Sequence, residues 1–396
     1  MLEATGTDTR AKRPGQGLYF RVGWGRLAAQ RALPGQAARL ASSGLHLGVV
    51  PEPALPPGWV ELKPKMAGIC GSDMALMKGQ SSPFMRPLTS FPAVLGHEIV
   101  AVTQEGQRVA VEPTLSCAAR GLPPCQMCAL GQSDDCLRRG DPGMGAGLML
   151  GYHARVPGGW SQRMWAPQSQ LVPVPEGMPD ERAVLTEPAA IVLTGLKQVE
   201  WSQAAEVLII GAGTLGLLST ALIAELYPAA KITAVARYPR QRDLVQQMGA
   251  QRVAGGTRRD PAIKAVTGEP VPTLPGFPPY YPRGFDVVVV AAGSQSALAE
   301  ASRLVKAGGQ VLLLGGVAQA AIDWTPIWSR HVRIIGSYGY GESGVDTFRA
   351  VLSLFSVMSQ PLESLVTHQF PLEDYRGAVR AALGHTGAIK TVFVPN

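Results

Sequence analysis

The run "EVLIIGAGTLGLLSTALIAEL", residues 206–226, constrains the architecture of this chain more than any other stretch. It is uncharged between Glu206 and Glu225 and approaches the length of a membrane span. Its interior glycines divide it, however, into a short β-branched run and a longer helical one. A buried strand, a tight turn and a buried helix follow, with no membrane partner expected. Gly211, Gly213 and Gly216 stand in G-x-G-x-x-G spacing between those elements, the context the motif requires. The first glycine permits the turn, the second lets backbone approach a pyrophosphate and the third lets helix pack on strand. Gly211, Gly213, Thr214, Leu215 and Gly216 are therefore the candidate cradle for a dinucleotide, its phosphates at the positive helix end.

The next strand-like run, "KITAVARYPR", separates the two nicotinamide cofactors. An NAD site places Asp or Glu near the end of that strand, to bond the ribose hydroxyls. Here Ala236 stands there, followed by Arg237, Arg240 and Arg242. Arginines offer charge-assisted bonds to a 2′-phosphate, which a carboxylate would repel. The reading is NADP, through Arg237 and Arg240.

Around this motif, strands alternate with helices: "KITAVA", then "RQRDLVQQMG", then "FDVVVVAAG", "QSALAEASRLVKAG" and "QVLLLGG". That rhythm specifies a doubly wound parallel sheet. Residues 45–115 read differently, as short strands between turn signals. The proline-dense segment 267–284 is expected to be an irregular excursion. The fold class is α/β, with two domains, since 396 residues exceed what one core usually supports.

Five cysteines are an odd number, so not all can pair. Residues 1–30 contain no apolar core of signal-peptide length. A cytoplasmic location is expected, in which thiols bind metal or stay reduced. The net charge is +7, yet charged residues are only 16% of the chain and no basic run is interleaved with aromatics. No nucleic-acid partner is expected.

Cys117, Cys125, Cys128 and Cys136 fall within 20 residues, and Cys125-x2-Cys128 has the spacing of a zinc knuckle. Four thiolates close a tetrahedral site, which makes it structural. Cys70 stands apart, in "GICGSD". His97 and Glu98 in "LGHEIV" and Glu187 in "LTEPAA" are its candidate partners. One thiolate, one imidazole and one carboxylate would leave an open position on zinc, with either glutamate as the third ligand.

These pieces together resemble the zinc-containing medium-chain dehydrogenase/reductase, or alcohol dehydrogenase, superfamily. The resemblance runs from about residue 45 to the end and rests on "GICGSD", "GHE", the cysteine lobe, "PGGW", "EP", "GAGTLG" and "AIKTVFV". The pairing of Glu98 with Glu187 is similar to the polyol, sugar and threonine dehydrogenase branches. The resemblance implies a GroES-like β-rich catalytic domain over 31–195, with its zinc lobe at 117–136, after an N-terminal extension (1–30) outside the fold. A Rossmann NADP-binding domain would cover 196–334, and 335–396 would return to the catalytic domain. It also implies a homodimer or homotetramer. Zinc acts in this family as a Lewis acid on a secondary alcohol whose hydride passes to the nicotinamide, and Ser72 matches the hydroxyl that passes the proton outward.

The expected activity is thus a zinc- and NADP-dependent oxidoreductase of a polyol or sugar. The alternatives are an aldehyde or ketone reductase, a threonine-type hydroxy amino acid dehydrogenase and, more remotely, a non-catalytic NADP-binding protein. Three departures stand out. Cys117 lies eight positions before Cys125, as if "AARGL" were inserted, so either the lobe is remodelled or a ligand is lost. Ala75 replaces a relay histidine, and the segment after "GHE" is short.

Overall fold

The computed structural model describes residues 15–22, 44–256, 260–316, 319–385 and 387–395. The β-rich half opens with β1 (Gln16–Phe20), β2 (Leu45–Val49) and the long β3 (Trp59–Gly68). There follow β4 (Ala93–Val94), β5 (Ile99–Val102), β6 (Arg108–Val111), β7 (Met164–Pro167) and β8 (Leu171–Pro173). Next come β9 (Glu206–Ile210), β10 (Lys231–Val235), β11 (Arg252–Ala254), β12 (Phe285–Val290), β13 (Val305–Leu313) and β14 (Arg333–Gly336). Two strands close the described fold, β15 (Val366–Phe370) and β16 (Lys390–Phe393).

Strands β9 to β14 form one sheet in the order β11-β10-β9-β12-β13-β14, parallel throughout. This is the doubly wound dinucleotide-binding topology, whose ligand crevice lies beyond the carboxyl ends of the central strands. Its strands are apolar on both faces: Val207, Leu208, Val287, Val288 and Val289 are fully buried. The helix Thr214–Leu226 packs against β9 and against the helix Thr186–Lys197, which carries Glu187. No described helix is long and apolar enough to cross a membrane.

The second large sheet runs β15-β16-β3-β5-β6-β8, with β7 paired to the first half of β3. Its register joins distant parts of the chain. Strand β16 lies antiparallel to β3, Val392 opposite Gly68 and Phe393 opposite Ala67. The hairpin from β5 to β6 is short, consistent with the brief segment after "GHE".

One expectation needs correction. Residues 16–20 are not outside the fold: β1 pairs with β2 and β4 in a three-stranded sheet, and Leu18 and Phe20 are fully buried. Burial of these side chains, together with the pairing to both neighbouring strands, offsets the entropy lost in ordering the strand. The remainder of the expected extension, residues 1–14 and 23–30, lies outside the described residues. The proline-dense excursion is irregular, with one isolated bridge between Val271 and Tyr280.

His153 packs over Gly147 with its Nδ1 accepting the Arg155 N–H at 3.1 Å, while Nε2 has no partner. Burial, reinforced by the Arg120 charge, lowers its pKa from 6.5 to about 4. The unfolded chain then binds the proton more readily, so stability is lost as pH falls through that window. Between pH 7 and pH 4, His153→Asn should lose less stability than wild type, by something of the order of 3 kcal/mol. Denaturant midpoints at pH 7 and pH 4 check this, and parallel losses in both proteins would refute it.

Candidate active site

The backbone first brings Cys70 and His97 together. Strand β3 ends at Gly68, Ile69 N–H bonds to Thr391 in β16 at 2.9 Å, and Cys70 caps the helix Gly71–Met77. His97 and Glu98 sit in the connection from β4 to β5, which turns at Gly96 with φ of +98°. A side chain at Gly96 would also meet the Trp160 ring, 2.4 Å from an added Cβ. Trp160 is fully buried there, donating from Nε1 to the Gly68 carbonyl at 3.0 Å. The "PGGW" tryptophan is thus packing that fixes both ligand-bearing turns.

The ligand atoms of Cys70, His97 and Glu98 all lie within 4.8 Å of one another. Glu187 stands outside that cluster. Its carboxylate accepts the Tyr340 hydroxyl at 2.7 Å, and burial raises its pKa, partly countered by His97. Glu98 is buried to 1% exposure, and both its oxygens receive Lys390 Nζ at 2.7 Å. Burial alone would pull the Lys390 pKa down, but Glu98, with Cys70 and Glu187 behind it, holds it above the ordinary value.

Asp73 organises the other side. Its Oδ2 accepts the Cys70 N–H at 2.9 Å, and its Oδ1 accepts the Tyr152 hydroxyl at 2.9 Å and faces His97 Nδ1 at 3.7 Å. Burial raises the pKa of Asp73, opposed by His97 and by the bond from Cys70. His97 Nδ1 has no hydrogen-bond partner. Burial would lower the His97 pKa, yet Asp73, Cys70 and Glu187 hold it well above the imidazole range. An imidazole and three carboxylates are buried, with the half-buried Cys70 thiol, around a single ammonium, so the pocket favours a further positive charge. The donor set suits zinc, with Asp73 placed to orient the histidine.

The four remaining cysteines also converge, their sulfurs within 4.8 Å of one another. The inserted "AARGL" explains how. It folds into a turn closed by Leu122 N–H on the Cys117 carbonyl at 2.9 Å. Arg120, buried, anchors that turn by donating to the Leu115, Gly145, Arg139 and Gly147 carbonyls. Backbone N–H groups of Cys125, Leu137 and Arg138 point at Cys117, Cys125 and Cys136 sulfurs, each at 3.4 Å. N–H groups aimed at sulfur favour the thiolate, and bonds from Cys128 and Leu137 lower the Cys125 pKa to about 6.

At the nucleotide motif each glycine is required differently. Gly211 has φ of +111°, and an added Cβ would lie 2.9 Å from Ala292. At Gly216 an added Cβ would overlap the Gly211 carbonyl oxygen at 1.8 Å. At Gly213 nothing lies within 4 Å, which leaves open space at the helix start, the cradle a pyrophosphate needs. Thr214 donates to the Ile389 carbonyl at 3.0 Å, and Leu215, partly buried, packs against the core. Arg237 and Arg240 are exposed beyond β10, whereas Arg242 is tied back to the Ala236 carbonyl at 3.2 Å.

Lys390, Asp73, Tyr152 and Tyr340 were not singled out by the sequence reading. Lys390 carried a signal, a lone charge inside the apolar run "AIKTVFV". The tyrosines carried none, because their partners are remote in sequence.

A β-rich half that gathers thiol, imidazole and carboxylate groups, joined to a parallel doubly wound sheet, is the architecture of a class of hydride-transferring enzymes. Residues 56–176 match the alcohol dehydrogenase GroES-like domain and residues 215–357 match the zinc-binding dehydrogenase domain. The L-threonine 3-dehydrogenase of Chelativorans sp. (strain BNC1) is 27% identical, covering 87% of this chain and 94% of its own. The D-arabinitol dehydrogenase 1 of Uromyces fabae is 25% identical, over 81% and 85%. A zinc-binding dehydrogenase of Sinorhizobium meliloti 1021, solved with NADP, superposes with a TM-score of 0.69 at 24% identity, covering 89% and 95%. The chain belongs to the zinc-containing medium-chain alcohol dehydrogenase superfamily and is an oxidoreductase.

Proposed function

We propose that the chain is a zinc-dependent, NADP-preferring dehydrogenase of a secondary alcohol, with a polyol, sugar or hydroxy amino acid as substrate. One observation carries this reading. Two consecutive residues, Ile389 and Lys390, join the start of the nucleotide helix at Thr214 to the Cys70, His97 and Glu98 cluster. The start of the nucleotide helix and the metal-ligand set are thus tied to adjacent residues of one strand approach, the proximity that hydride transfer needs.

In this reading Cys70, His97 and Glu98 hold the catalytic zinc, and Tyr340 holds Glu187 back as a second carboxylate beside it. Zinc bound there would supply Lewis-acid polarisation of the substrate oxygen. Ser72, exposed on the first turn of its helix, receives the hydroxyl proton. Lys390 balances Glu98, and Asp73 orients His97. The N-terminus of Thr214–Leu226 binds the pyrophosphate, and Arg237 and Arg240 bind the 2′-phosphate. Cys117, Cys125, Cys128 and Cys136 hold the structural zinc. Residues 31–195 and 335–396 form the catalytic domain, 196–334 the nucleotide domain, and the molecule is a cytoplasmic dimer or tetramer.

Nicotinamide absorbance tests the reading, with NADP or NAD against polyols, aldoses, hydroxy amino acids and simple secondary alcohols, with and without a chelator. Chelator-sensitive turnover on one group supports it, and a rate higher with NAD would sink the NADP assignment. Replacing Arg237 and Arg240 by alanine should raise the KM for NADP about tenfold or more, with the KM for NAD changing little. Equal changes for both nucleotides would remove the arginines from cofactor selection.

A further inference from the structure

The connection from β14 to the helix Gly344–Val357 carries Tyr340 between two glycines, Gly339 and Gly341, with φ of +71° and +81°. Glycines leave a backbone free to take many paths, so contacts must fix where Tyr340 stands. Two do so at its main chain. Its carbonyl accepts the Thr347 hydroxyl at 2.6 Å, from the helix that follows. Its N–H donates to Asp134 Oδ2 at 2.6 Å, 206 residues away in the chain. Asp134 lies between Cys128 and Cys136, and its Oδ1 accepts the Thr114 hydroxyl at 3.4 Å. The seat is close-fitting: an added Cβ at Gly339 would lie 2.1 Å from Asp134 Cγ, and one at Gly131 3.0 Å from the Glu342 carbonyl oxygen. The cysteine lobe thus supports the loop that carries Tyr340. From that seat the buried phenol packs edge-on to Phe348, with ring centroids 5.2 Å apart, and donates to Glu187.

We propose that Asp134 is a positioning residue through which the cysteine lobe, by seating Tyr340, keeps Glu187 off a metal held by Cys70, His97 and Glu98. Glu187 stands outside that ligand cluster, yet its carboxylate and the His97 ring lie within each other's electrostatic reach. A carboxylate released there is a fourth protein donor for zinc. It would fill the position that a catalytic site leaves open for substrate. The proposal rests on the zinc-dependent reading above. It gives the four-cysteine lobe a part in the reaction besides stability, through two hydrogen bonds in series.

Zinc passes to a coloured chelator from both sites, and the phase that Cys70→Ala lacks belongs to the pocket. Asp134→Ala should slow that phase about tenfold or more, because Glu187 adds a charged donor, and should raise the KM for the alcohol about tenfold by competing with it. A loosened fold would act in the opposite direction and release zinc faster. Asp134→Asn keeps an oxygen for the Tyr340 N–H and should return the phase to its wild-type rate. Tyr340→Phe keeps the ring and the N–H and removes only the hydroxyl. It should slow the same phase while the lobe retains its zinc. In a Glu187→Ala background neither Asp134→Ala nor Tyr340→Phe should slow it further.

Faster release from Asp134→Ala, or slowing that persists without the Glu187 carboxylate, would overturn the proposal. Should Asp134→Ala not fold, Gly339→Ala tests the same contact from the other side, its methyl displacing the Asp134 carboxylate. An unchanged rate there, or in Tyr340→Phe, would refute the proposal. Wild-type protein that holds zinc in the lobe alone would overturn the zinc-dependent reading, and this proposal with it. Wild-type protein with zinc in both sites, released at a rate indifferent to Asp134 and Tyr340, would overturn this proposal alone.

Discussion

Cys70→Ala is expected to lower kcat/KM by about a thousandfold or more, with zinc content falling by about one ion per chain. Among the described residues, its sulfur is one of three candidate ligand atoms that lie within 4.8 Å of one another here. Its loss leaves an imidazole and a carboxylate that is already paired to Lys390, too few donors to hold zinc against exchange. Polarisation of a substrate oxygen by a metal supplies several kcal/mol of barrier lowering, and about 4 kcal/mol corresponds to a thousandfold. The remaining zinc should stay with the four lobe cysteines, whose sulfurs lie apart from this pocket. Metal analysis alongside kinetics separates the two sites. Full activity in Cys70→Ala, insensitive to chelator, would dispose of the catalytic assignment.

Lys390→Met should destabilise the zinc-stripped protein by roughly 3–5 kcal/mol. Lys390 and Glu98 are 4% and 1% exposed, and the ammonium bonds both carboxylate oxygens and the Ile69 carbonyl. Removing the cation strands a buried carboxylate, which costs more than the pair itself contributes. The double variant Lys390→Met/Glu98→Gln should therefore recover much of the loss. Adding zinc to the single variant should recover part of it, since Glu98 then meets another cation. Equilibrium denaturation measures all four species. A loss below about 1 kcal/mol would mean that water reaches Glu98 in the folded state, against the burial described above.

The nucleotide half of this molecule was legible because its signals are local. Strand, glycine turn and helix are written in consecutive residues; Gly216 answers a contact within its own turn, Gly211 one with the residues that follow β12, and Gly213 leaves open space. The cysteine lobe was legible by spacing, although spacing left open whether the inserted residues broke the ligand set. The answer lay in Arg120, whose carbonyl partners are up to 27 residues away. The choice between Glu98 and Glu187 was not legible. It depends on Tyr340 and Lys390, which lie 153 and 292 residues from the carboxylates they hold. Strand β1 was missed for the same reason: five residues with three large apolar side chains, "QGLYF", are ambiguous until the partners at 45–49 and 93–94 are in place.

The separation of Glu98 from Lys390 has a consequence for synthesis. At about 5–20 residues per second, the ribosome makes the 292 intervening residues in roughly 15–60 s. Throughout that interval β3 and β5 exist without β16, and Glu98 has no ammonium to meet. A carboxylate cannot be sealed from water on those terms, so the nascent β-rich half must stay ajar while the parallel sheet is translated and folds. The metal pocket is then closed by a strand that arrives late, which makes the order of assembly part of the design of the site.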